Sequence, residues 1–219
     1  EGYPPIRLKG TKFTKDKVQI NGNVSSQYIS SLLLIASKLE KGLEIELVGK
    51  ITSIPYINMT LSLLTQLGIE NKFEGNIINV YPKTEIQKQT VVVESDWSSA
   101  SYFYSIIALS EIGSTIQLSA YKKESLQGDS CLAEIYQHFG VTTNFGDNFI
   151  TLKKETLTNK EVLEIDLKNA PDIAQTIAVT CFGLGISCEL VGLKTLKIKE
   201  TDRLLALKVE LQKLGAELT

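Results

Sequence analysis

The pattern of hydrophobic and polar positions predicts alternating strands and helices along the chain. Residues 43–48 alternate apolar and charged side chains with a period of two, which is typical of a strand with one buried face. Two longer apolar stretches, 27–39 and 56–67, are long enough to form helices. Short runs at 70–73 and 76–80 flank a glutamate–glycine pair and predict a hairpin. With a strand before the first helix, the predicted order is βαβαββ.

This order recurs at an interval near 73 residues, which indicates a chain built from repeats. Small or polar residues open predicted helices, 73 and then 74 positions apart, at Ser25, Ser98 and Asp172. Glycines follow predicted helices, 72 and then 75 positions apart, at Gly68, Gly140 and Gly215. Two sets of positions that give the same interval support a genuine repeat. We therefore predict an α/β fold of repeated βαβαββ units, with these glycines just past helix ends.

The helices of this fold are predicted to lie beneath the sheets. Residues 173–184 include no charged side chain, and a helix that is apolar on all sides is normally buried. The polar stretch 83–90 separates two parts of the chain, so residues 1–90 and 91–219 are predicted to belong to different lobes. The third repeat reaches Thr219 before its hairpin, so we expect this unit to be incomplete.

Composition narrows the classes of function. A hydrophobic content of 43% and a charged content of 22% are ordinary for a globular protein. A net charge of −2 argues against a nucleic-acid binder, which would carry a basic surface. No apolar run is long enough to span a membrane. The three cysteines form no C-x-x-C pair and there is one histidine, so we expect reduced thiols in a cytoplasmic protein and no zinc site.

Ser25, Ser26 and Gln27 precede an apolar helix and form the first candidate site. Serine hydroxyls cap helices, and the free N–H groups at a helix start bind anions. The three residues are therefore either an ordinary cap or a phosphate site. Ser98 and Ser99, one repeat later, also stand at a predicted helix start. They are a second candidate phosphate site, again with an ordinary helix cap as the alternative.

Two further helix starts carry candidate side chains. Ser53 and Tyr56 flank Pro55, and proline is typical of a first helical turn. Their hydroxyls are either structural or contacts for a polyhydroxylated substrate. Asp172 opens the uncharged helix, either as a cap or as a carboxylate that accepts a proton. Because the positive end of a helix weakens a carboxylate as a base, its orientation would matter more than its basicity.

The segment 199–203, Lys-Glu-Thr-Asp-Arg, is the most highly charged candidate site. Thr201 is predicted to cap the following helix, which places Arg203 in the first turn, where a cation opposes the helix dipole. With the lysines just upstream, Arg203 either belongs to a solvated run of charges or binds a doubly charged anion. Glu200 lies among these cations and is a candidate acid or base.

Together these motifs resemble the 5-enolpyruvylshikimate-3-phosphate synthase family, in order along essentially the whole chain. The serine–serine–glutamine run combined with lysine–glutamate–threonine–aspartate–arginine is specific to this family. The residues that carry the resemblance are Tyr3-Pro4-Pro5, Val24-Ser25-Ser26-Gln27, Ser53-x-Pro55-Tyr56, Ser98-Ser99-Ala100-Ser101-Tyr102-Phe103, Gln127-Gly128-Asp129, Pro171-Asp172 and Lys199-Glu200-Thr201-Asp202-Arg203.

The resemblance implies a reaction and its substrates. Family members transfer the enolpyruvyl group of phosphoenolpyruvate to the 5-hydroxyl of shikimate 3-phosphate and release phosphate, through a tetrahedral intermediate and without a metal or other cofactor. By resemblance, Asp172 accepts the hydroxyl proton and Glu200 protonates the phosphoenolpyruvate methylene. Arg203 matches an arginine that binds phosphoenolpyruvate. The implied substrate-binding residues are Ser25, Ser26, Gln27, Ser53, Tyr56, Thr195, Lys199 and Arg203, and many members have asparagine at the position of Thr195.

The resemblance also implies an incomplete enzyme. Family members have six such repeats, three per lobe, so residues 1–90 would be the last repeat of one lobe. Residues 91–219 would be the first two repeats of the other, the second of them incomplete. Several family motifs fall outside this internal fragment, so we expect it to be inactive alone and its parent to be monomeric. Two alternatives stay open: a sister enolpyruvyl transferase acting on a nucleotide sugar, or a non-catalytic binding or structural module.

Overall fold

The structure is a computed structural model that describes residues 5, 7, 9–10, 12–52, 54–158 and 162–219. The chain divides into two compact units, Glu1–Gln89 and Thr90–Thr219. Both units combine strands and helices, so the predicted mixed α/β class is confirmed. Three residues named above lie outside the described residues: Tyr3, Pro4 and Ser53.

The first unit has the βαβαββ order that the hydrophobic pattern predicts. Its elements are β1 (Lys17–Asn21), α1 (Ser26–Ala36), β2 (Leu43–Val48), α2 (Ile54–Gln66), β3 (Asn71–Glu74) and β4 (Ile77–Val80). The strands form one sheet in the order β1-β2-β4-β3. β1 runs parallel to β2, whereas β4 runs antiparallel to both β2 and β3. The hairpin therefore places its second strand beside β2.

The alternation in β2 determines which face of this sheet is buried. Leu43, Ile45 and Leu47 are at most 6% exposed, whereas the two glutamates between them point to the opposite face. Ile29 and Leu33 of α1 belong to the same buried cluster. Full burial of one such aliphatic side chain contributes about 1.5–3 kcal/mol, so this face is the main source of stability for the unit.

The second unit contains the remaining strands and helices. They are α3 (Trp97–Ala108), β5 (Thr115–Ser119), α4 (Leu132–Ile135), β6 (Val141–Phe145), β7 (Phe149–Lys154), β8 (Val162–Asp166), α5 (Ala174–Leu184), β9 (Ser187–Val191) and α6 (Arg203–Gln212). Short 3-10 turns lie at Gly128–Cys131, Tyr136–Phe139, Pro171–Ile173 and Lys194–Ile198. The strands form a sheet in the order β5-β7-β6 and a parallel pair, β8 and β9.

The second repeat differs from the prediction in two places. Residues 85–96, all described, form no strand before α3. This segment makes a single backbone bond beside β5, from Ser95 N to the O of Ala120, the residue after that strand, at 2.7 Å, where a paired strand would make a ladder. The helix predicted to end just before Gly140 is instead a four-residue α4 between two 3-10 turns.

The predicted glycine stops are confirmed. Gly68, Gly140 and Gly215 have φ angles of 72°, 73° and 94°, a left-handed conformation that other residues adopt only with strain. At Gly140 the chain is also crowded, because a Cβ atom would lie 1.9 Å from the Thr156 carbonyl oxygen. The interval between these glycines therefore reflects a repeated way of ending a helix.

Helices α3 and α5 pack against each other through hydroxyl groups as well as apolar side chains. The hydroxyls of Ser101 and Thr176 are 2.8 Å apart, and Thr180 donates to Ser105 at 2.8 Å. Both pairs are buried. The uncharged α5 is nevertheless not enclosed on all sides, because Phe182 is 37% exposed. The helices of the described residues therefore bury one face rather than their whole circumference.

Lys154, at the end of β7, is a buried cation with a structural role. Its side chain is 1% exposed, and its Nζ donates to the carbonyl oxygens of Ala108 at 2.7 Å and Phe139 at 2.6 Å. These carbonyls end α3 and the 3-10 turn after α4, where backbone acceptors lack helical partners. Lys154 therefore joins two helix ends, and burial lowers the pKa of its ammonium group.

Candidate functional site

Both candidate clusters follow the carboxyl ends of paired parallel strands. In the first unit, β1 and β2 end together at the pair Asn21 and Val48. In the second unit, β8 and β9 end together at the pair Asp166 and Val191. Open α/β sheets bind ligands in the loops beyond such ends. Each strand pair therefore places two loops side by side, and the candidate residues follow in these loops and the helix starts beyond them.

Ser25 caps α1 and leaves the positive end of this helix without a counter-charge. Its φ and ψ angles are −55° and 131°, and its Oγ accepts a hydrogen bond from Gln27 N at a long 3.4 Å. The first turn of α1 contains no acidic residue. Ser25 and Ser26 are half-buried and Gln27 is exposed. Such a helix start can accept an oxyanion through backbone N–H groups and serine hydroxyls.

The loop that leads into α2 is bound to the loop that leads into α1. Gly22 N donates to Val48 O at 2.8 Å, and Thr52 N donates to Gly22 O at 2.9 Å. Further along, the Thr60 hydroxyl of α2 donates to the Ser30 hydroxyl of α1 at 2.9 Å. Tyr56, in the first turn of α2 and half-buried, is thereby kept on the same side of the sheet as the start of α1. Its predicted neighbour Ser53 lies outside the described residues.

The start of α3 differs from the start of α1, although both carry a serine pair. The cap of α3 is Asp96, whose carboxylate accepts from Ser98 N at 3.0 Å and from Ser99 Oγ at 2.8 Å. The Ser98 hydroxyl donates to Asp129, which is 1% exposed. Internal carboxylates therefore already face this helix end. The interpretation of Ser98 and Ser99 as a second anion site is wrong because the position is filled by the protein's own acids.

The loops after β8 and β9 are held together by backbone contacts. Leu167 N donates to Val191 O at 2.9 Å, which extends the pairing one residue past the strands. Gly192 follows with a φ angle of 83°, and a Cβ atom there would lie 2.4 Å from Lys168 N. Only glycine fits this close approach without a shift of the backbone. The 3-10 turns carrying Asp172 and Thr195 follow directly from these loops.

Asp172 lies at the centre of a cluster of charged side chains. Lys199 Nζ is 3.2 Å from its Oδ1 and 3.4 Å from its Oδ2. Arg203 Nη1 donates to the same Oδ1 at 2.9 Å. The Asp172 side chain caps neither the 3-10 turn that contains it nor α5. The capping interpretation is therefore wrong, because the carboxylate is turned towards the two cations.

Arg203 binds a second carboxylate, that of Glu200. Its Nε donates to Glu200 Oε2 at 2.9 Å and its Nη2 donates to Oε1 at 2.6 Å, a two-pronged arrangement suited to oxyanions. This contact holds the pKa of the Glu200 carboxyl below its usual range and raises the pKa of Arg203. Glu200 is 71% exposed, whereas Asp172 is 25% exposed. Glu200 is therefore the partner that an incoming anion displaces more easily.

Asp202, not Thr201, caps α6. The Asp202 carboxylate accepts hydrogen bonds from Leu204 N and Leu205 N, both at 3.1 Å. The prediction that Thr201 is the cap is wrong by one residue. Arg203 is the first residue of α6, as expected, and its side chain turns back to the carboxylates of Asp172 and Glu200. The unfavourable position of a cation at the helix start is thus offset by two acids.

Two buried oxygens beside this cluster have no hydrogen-bond partner among the described residues. One is the Thr195 hydroxyl, in the 3-10 turn after β9, and the other is the Gln175 amide oxygen, in the first turn of α5. A buried polar atom without a partner is costly and often marks a ligand or water site. Sequence reasoning missed Gln175, although its spacing of three residues from Asp172 puts both on one side of the helix start.

The described parts of the chain contain neither a cluster of metal-ligating side chains nor a helix able to cross a membrane. Within 12–52, 54–158 and 162–219, no group of three histidine, cysteine, aspartate or glutamate side chains is placed to hold a metal ion. In the same ranges, the helices are too short or too polar to cross a membrane.

Comparison with known proteins gives consistent matches over the whole chain. The profile of the family described as EPSP synthase (3-phosphoshikimate 1-carboxyvinyltransferase) matches residues 1–219. A 3-phosphoshikimate 1-carboxyvinyltransferase from Bacteroides fragilis strain YCH46 is 44% identical over 215 residues, which are 98% of this chain and 52% of the relative. A 3-phosphoshikimate 1-carboxyvinyltransferase from Pasteurella multocida strain Pm70 is 34% identical over 220 residues, which cover 99% of this chain and 48% of the relative.

A solved structure agrees in fold. The structure of EPSP synthase from Acinetobacter baumannii matches with a TM-score of 0.66 and 21% identity, over 92% of this chain and 46% of that chain. At this identity the likeness concerns the fold alone. The chain spans about half the length of the curated relatives it matches.

Proposed function

Because the chain belongs to the EPSP synthase family, we propose that the whole protein transfers the enolpyruvyl group of phosphoenolpyruvate to the 5-hydroxyl of shikimate 3-phosphate and releases phosphate. The observation that carries this proposal is the guanidinium of Arg203, which binds two carboxylates through three nitrogens. Since this chain spans about half the length of its relatives, the activity belongs to the whole protein, and residues 1–219 alone are expected to be inactive.

Arg203 binds the anionic part of phosphoenolpyruvate in this proposal. A guanidinium matches a carboxylate or phosphate with two parallel hydrogen bonds, as it does Glu200 in the ligand-free protein. The substrate replaces Glu200 on the Nε and Nη2 side of Arg203. Asp172 keeps its bond to Nη1, because its carboxylate is also held by Lys199. The guanidinium is therefore already oriented when the anion arrives.

Displacement of Glu200 from Arg203 changes the pKa of the Glu200 carboxyl and therefore its ability to act as an acid. While Arg203 holds it, the pKa of Glu200 is lowered, so the carboxyl stays ionised and carries no proton to donate. Once a substrate anion takes the guanidinium, the cation's hold on Glu200 is lost and the pKa of its carboxyl rises. Glu200 then becomes able to deliver a proton to the phosphoenolpyruvate methylene. Substrate binding and the acid function of Glu200 are coupled through Arg203.

Asp172 accepts the proton of the shikimate 3-phosphate 5-hydroxyl. Its contacts with Lys199 and Arg203 fix the direction of the carboxylate, which matters for a base positioned next to cations. Lys199 and Thr195 contact the same substrate. The buried Thr195 hydroxyl is well suited to this role because a substrate hydroxyl would supply the partner that it lacks among the described residues.

The start of α1 binds the phosphate of shikimate 3-phosphate. Ser25 and Ser26 supply hydroxyls at a positive helix end that contains no acid, and Gln27 supplies an exposed amide. The contrast with α3, where Asp96 and Asp129 occupy the equivalent position, supports an external anion at α1. Ser53 and Tyr56 make further contacts with the substrate.

We assign residues 1–90 to the last repeat of one lobe and residues 91–219 to the first two repeats of the other, the second incomplete. The complete βαβαββ order of the first unit supports this assignment. The protein acts in the cytoplasm as a monomer on two small-molecule substrates. It needs no metal or other cofactor, and it binds neither nucleic acid nor membranes.

Phosphate release by the purified whole protein, supplied with phosphoenolpyruvate and shikimate 3-phosphate, tests the proposal. Turnover is expected, with a loss of roughly a hundredfold in Arg203→Ala, because one oxyanion-binding cation is worth about that much. Lys213→Ala, which removes an exposed cation that pairs with Glu210 at the other end of α6, is the matched control and keeps full activity. Turnover with a nucleotide sugar instead of shikimate 3-phosphate identifies the sister transferase. A folded protein that releases phosphate from neither pair of substrates overturns the proposal in favour of a binding module.

A further inference from the structure

Three consecutive valines shortly before α3 are exposed to solvent. Val91, Val92 and Val93 are 38%, 60% and 83% exposed, and Val93 is the most exposed large apolar side chain of the described residues. β-branched side chains favour strands, in which they pack against a neighbouring surface. The backbone of this valine segment, residues 91–93, nevertheless forms no strand. The segment therefore has the composition of a strand but lacks the pairing.

The strand β5 offers a free edge to such a segment. It is the outer strand of its sheet, in the order β5-β7-β6. Ala120 N donates to Asn148 O at 2.6 Å, which continues the pairing with β7 by one residue. Because the direction of the backbone groups alternates along a strand, those of Gln117 and Ser119 point to the opposite edge. There Ser119 O accepts a hydrogen bond from Ser95 Oγ at 3.1 Å.

The core beneath this edge is incompletely covered. Ile116 and Leu118 of β5 are only half-buried against the core of the second unit. In the first unit, β2 has a strand on each side, and its Leu43, Ile45 and Leu47 are at most 6% exposed. A further strand beside β5 would therefore cover apolar surface that its sheet leaves partly open.

The first and third repeats fill the equivalent edge with the strand that precedes the helix. β1 runs parallel to β2, and β8 runs parallel to β9. Just past these pairs, Gly22 N and Leu167 N each donate to the last residue of the neighbouring strand, at 2.8 Å and 2.9 Å. Ser95 lies 73 positions after Gly22 and 72 before Leu167, and its N donates to Ala120 O at 2.7 Å. The end of a parallel pair is thus already formed in the second repeat.

The repeat spacing also gives the direction of each valine. Val91 and Val93 lie 73 positions after Val18 and Ile20, the residues of β1 that pack against the buried cluster of the first unit. Because Ser95 N points to β5, the N–H groups of Val93 and Val91 would point the same way in a continuous strand. The N–H group of Val92 would point away from β5.

We propose that the valine segment pairs in parallel with the free edge of β5, and that the structure shows the open form of this two-state element. One end is already anchored, by the bonds from Ser95 to Ala120 and Ser119. Closure extends the pairing from this anchor and packs Val91 and Val93 over the half-buried residues of β5.

Closure also shortens the connection between the two units. At the other end of this connection Lys83 is held to the first unit, since its N donates to Ser37 O at 2.9 Å and its Nζ to Gly68 O at 2.5 Å. The stretch left unpaired after Lys83 is residues 84–94 in the open form and residues 84–90 in the closed form. The valine segment is therefore a conformational device that sets the length of the linker, and it does not depend on the proposed enolpyruvyl transfer.

Residue-resolved amide hydrogen exchange of the intact 219-residue chain tests the proposal. After correction for intrinsic rates, the Val91 and Val93 amides are expected to exchange at least about tenfold more slowly than the Val92 amide, because only the first two donate to β5 in the closed form. Equal corrected rates at the three valines overturn the proposal. Slow exchange that disappears on dilution shows pairing between two copies of the chain and also overturns it.

Two proline variants form a matched pair. Val93→Pro removes a donor to β5 and is expected to speed exchange of the Gln117 amide, which the closed segment covers. Val92→Pro removes an N–H group that faces away, where an edge strand tolerates proline, so the Gln117 amide keeps its wild-type rate. Equal Gln117 rates in the two variants, both with native circular dichroism, overturn the proposed pairing. The alternation in the wild type decides the matter if a variant does not fold.

Discussion

The carboxylate of Asp172 accepts a hydrogen bond from the guanidinium of Arg203, 31 positions later in the chain, at 2.9 Å between Oδ1 and Nη1. The same guanidinium binds Glu200, and Lys199 binds Asp172, so two cations and two anions neutralise each other. An anionic ligand that binds Arg203 as proposed would therefore replace a carboxylate in this cluster. Because Glu200 is the more exposed of the two acids, the structure favours its release and the retention of Asp172.

Removal of the Arg203 side chain is expected to raise the pKa of Glu200. In the wild type its hydrogen bonds to Arg203 lower this pKa below the ordinary value of 4.5. Such a lowered pKa stabilises the fold above the unfolded-state pKa, and the contribution disappears as pH falls through the folded-state pKa. The measurement is the carbon-13 shift of the Glu200 carboxyl against pH in the wild type and in Arg203→Gln. An unchanged midpoint in Arg203→Gln would show that Arg203 does not control Glu200.

Substitution can test whether Asp202 or Thr201 caps α6. Asp202→Ala is expected to lower the free energy of unfolding by about 1 kcal/mol, since it removes the acceptor for two backbone N–H groups. Thr201→Ala is the matched control and is expected to change it by less than about half of that amount. Urea unfolding followed by circular dichroism gives both values. The opposite order would restore Thr201 as the cap.

Lys154 is expected to be important for stability because its buried ammonium joins two helix ends. Lys154→Met leaves two buried carbonyl oxygens without a donor, which costs about 2 kcal/mol or more. Lys153→Met, on the neighbouring residue, removes an exposed ammonium that pairs with Glu155 and is expected to be almost neutral. Equal losses in the two variants, measured by urea unfolding, would contradict a special role for the buried ammonium.

Thr180 joins the hydroxyl network between α3 and α5. Its hydroxyl contacts that of Tyr136 at 2.9 Å, and Tyr136 is fully buried. Thr180→Val keeps the shape of the side chain but leaves the Tyr136 hydroxyl without this partner, so we expect a loss of about 1–3 kcal/mol. The cost should fall when Tyr136→Phe is combined with Thr180→Val, because the Tyr136 hydroxyl is then no longer present to be left without a partner. Additive losses in this double-mutant cycle would rule out the contact as the cause.

The parts of the fold that rest on local chemistry were predictable from the sequence. The alternation at Leu43–Val48 gave the bounds of β2, because a strand with one buried face needs a period of two. The stops at Gly68, Gly140 and Gly215 followed from the left-handed backbone that glycine allows. These features depend on neighbouring residues only, so a sequence pattern is sufficient to find them.

Features that depend on the packed structure were not predictable in the same way. Thr201 and Asp202 are both good caps, and only the backbone path into α6 decides between them. The contact between Asp172 and Arg203 requires β8 to pair with β9, which brings two distant loops together. Ser98 and Ser99 repeat the pattern of Ser25 and Ser26, but Asp129 reaches α3 from another part of the chain. Spacing along a sequence does not reveal such partners.

Proton uptake on binding of phosphoenolpyruvate to the whole protein tests the central claim most directly. If the ligand takes Arg203 from Glu200, the pKa of Glu200 rises, and the wild type takes up protons at about pH 4–5, near the ordinary glutamate pKa. Calorimetric titrations in two buffers of different ionisation heat measure this uptake. The same titrations of the Glu200→Gln variant give the proton uptake of the ligand itself, which is subtracted from the wild-type value. The account predicts greater uptake in the wild type than in Glu200→Gln, and strongly weakened binding in Arg203→Ala. Equal uptake in the wild type and Glu200→Gln, or undiminished binding in Arg203→Ala, would contradict it.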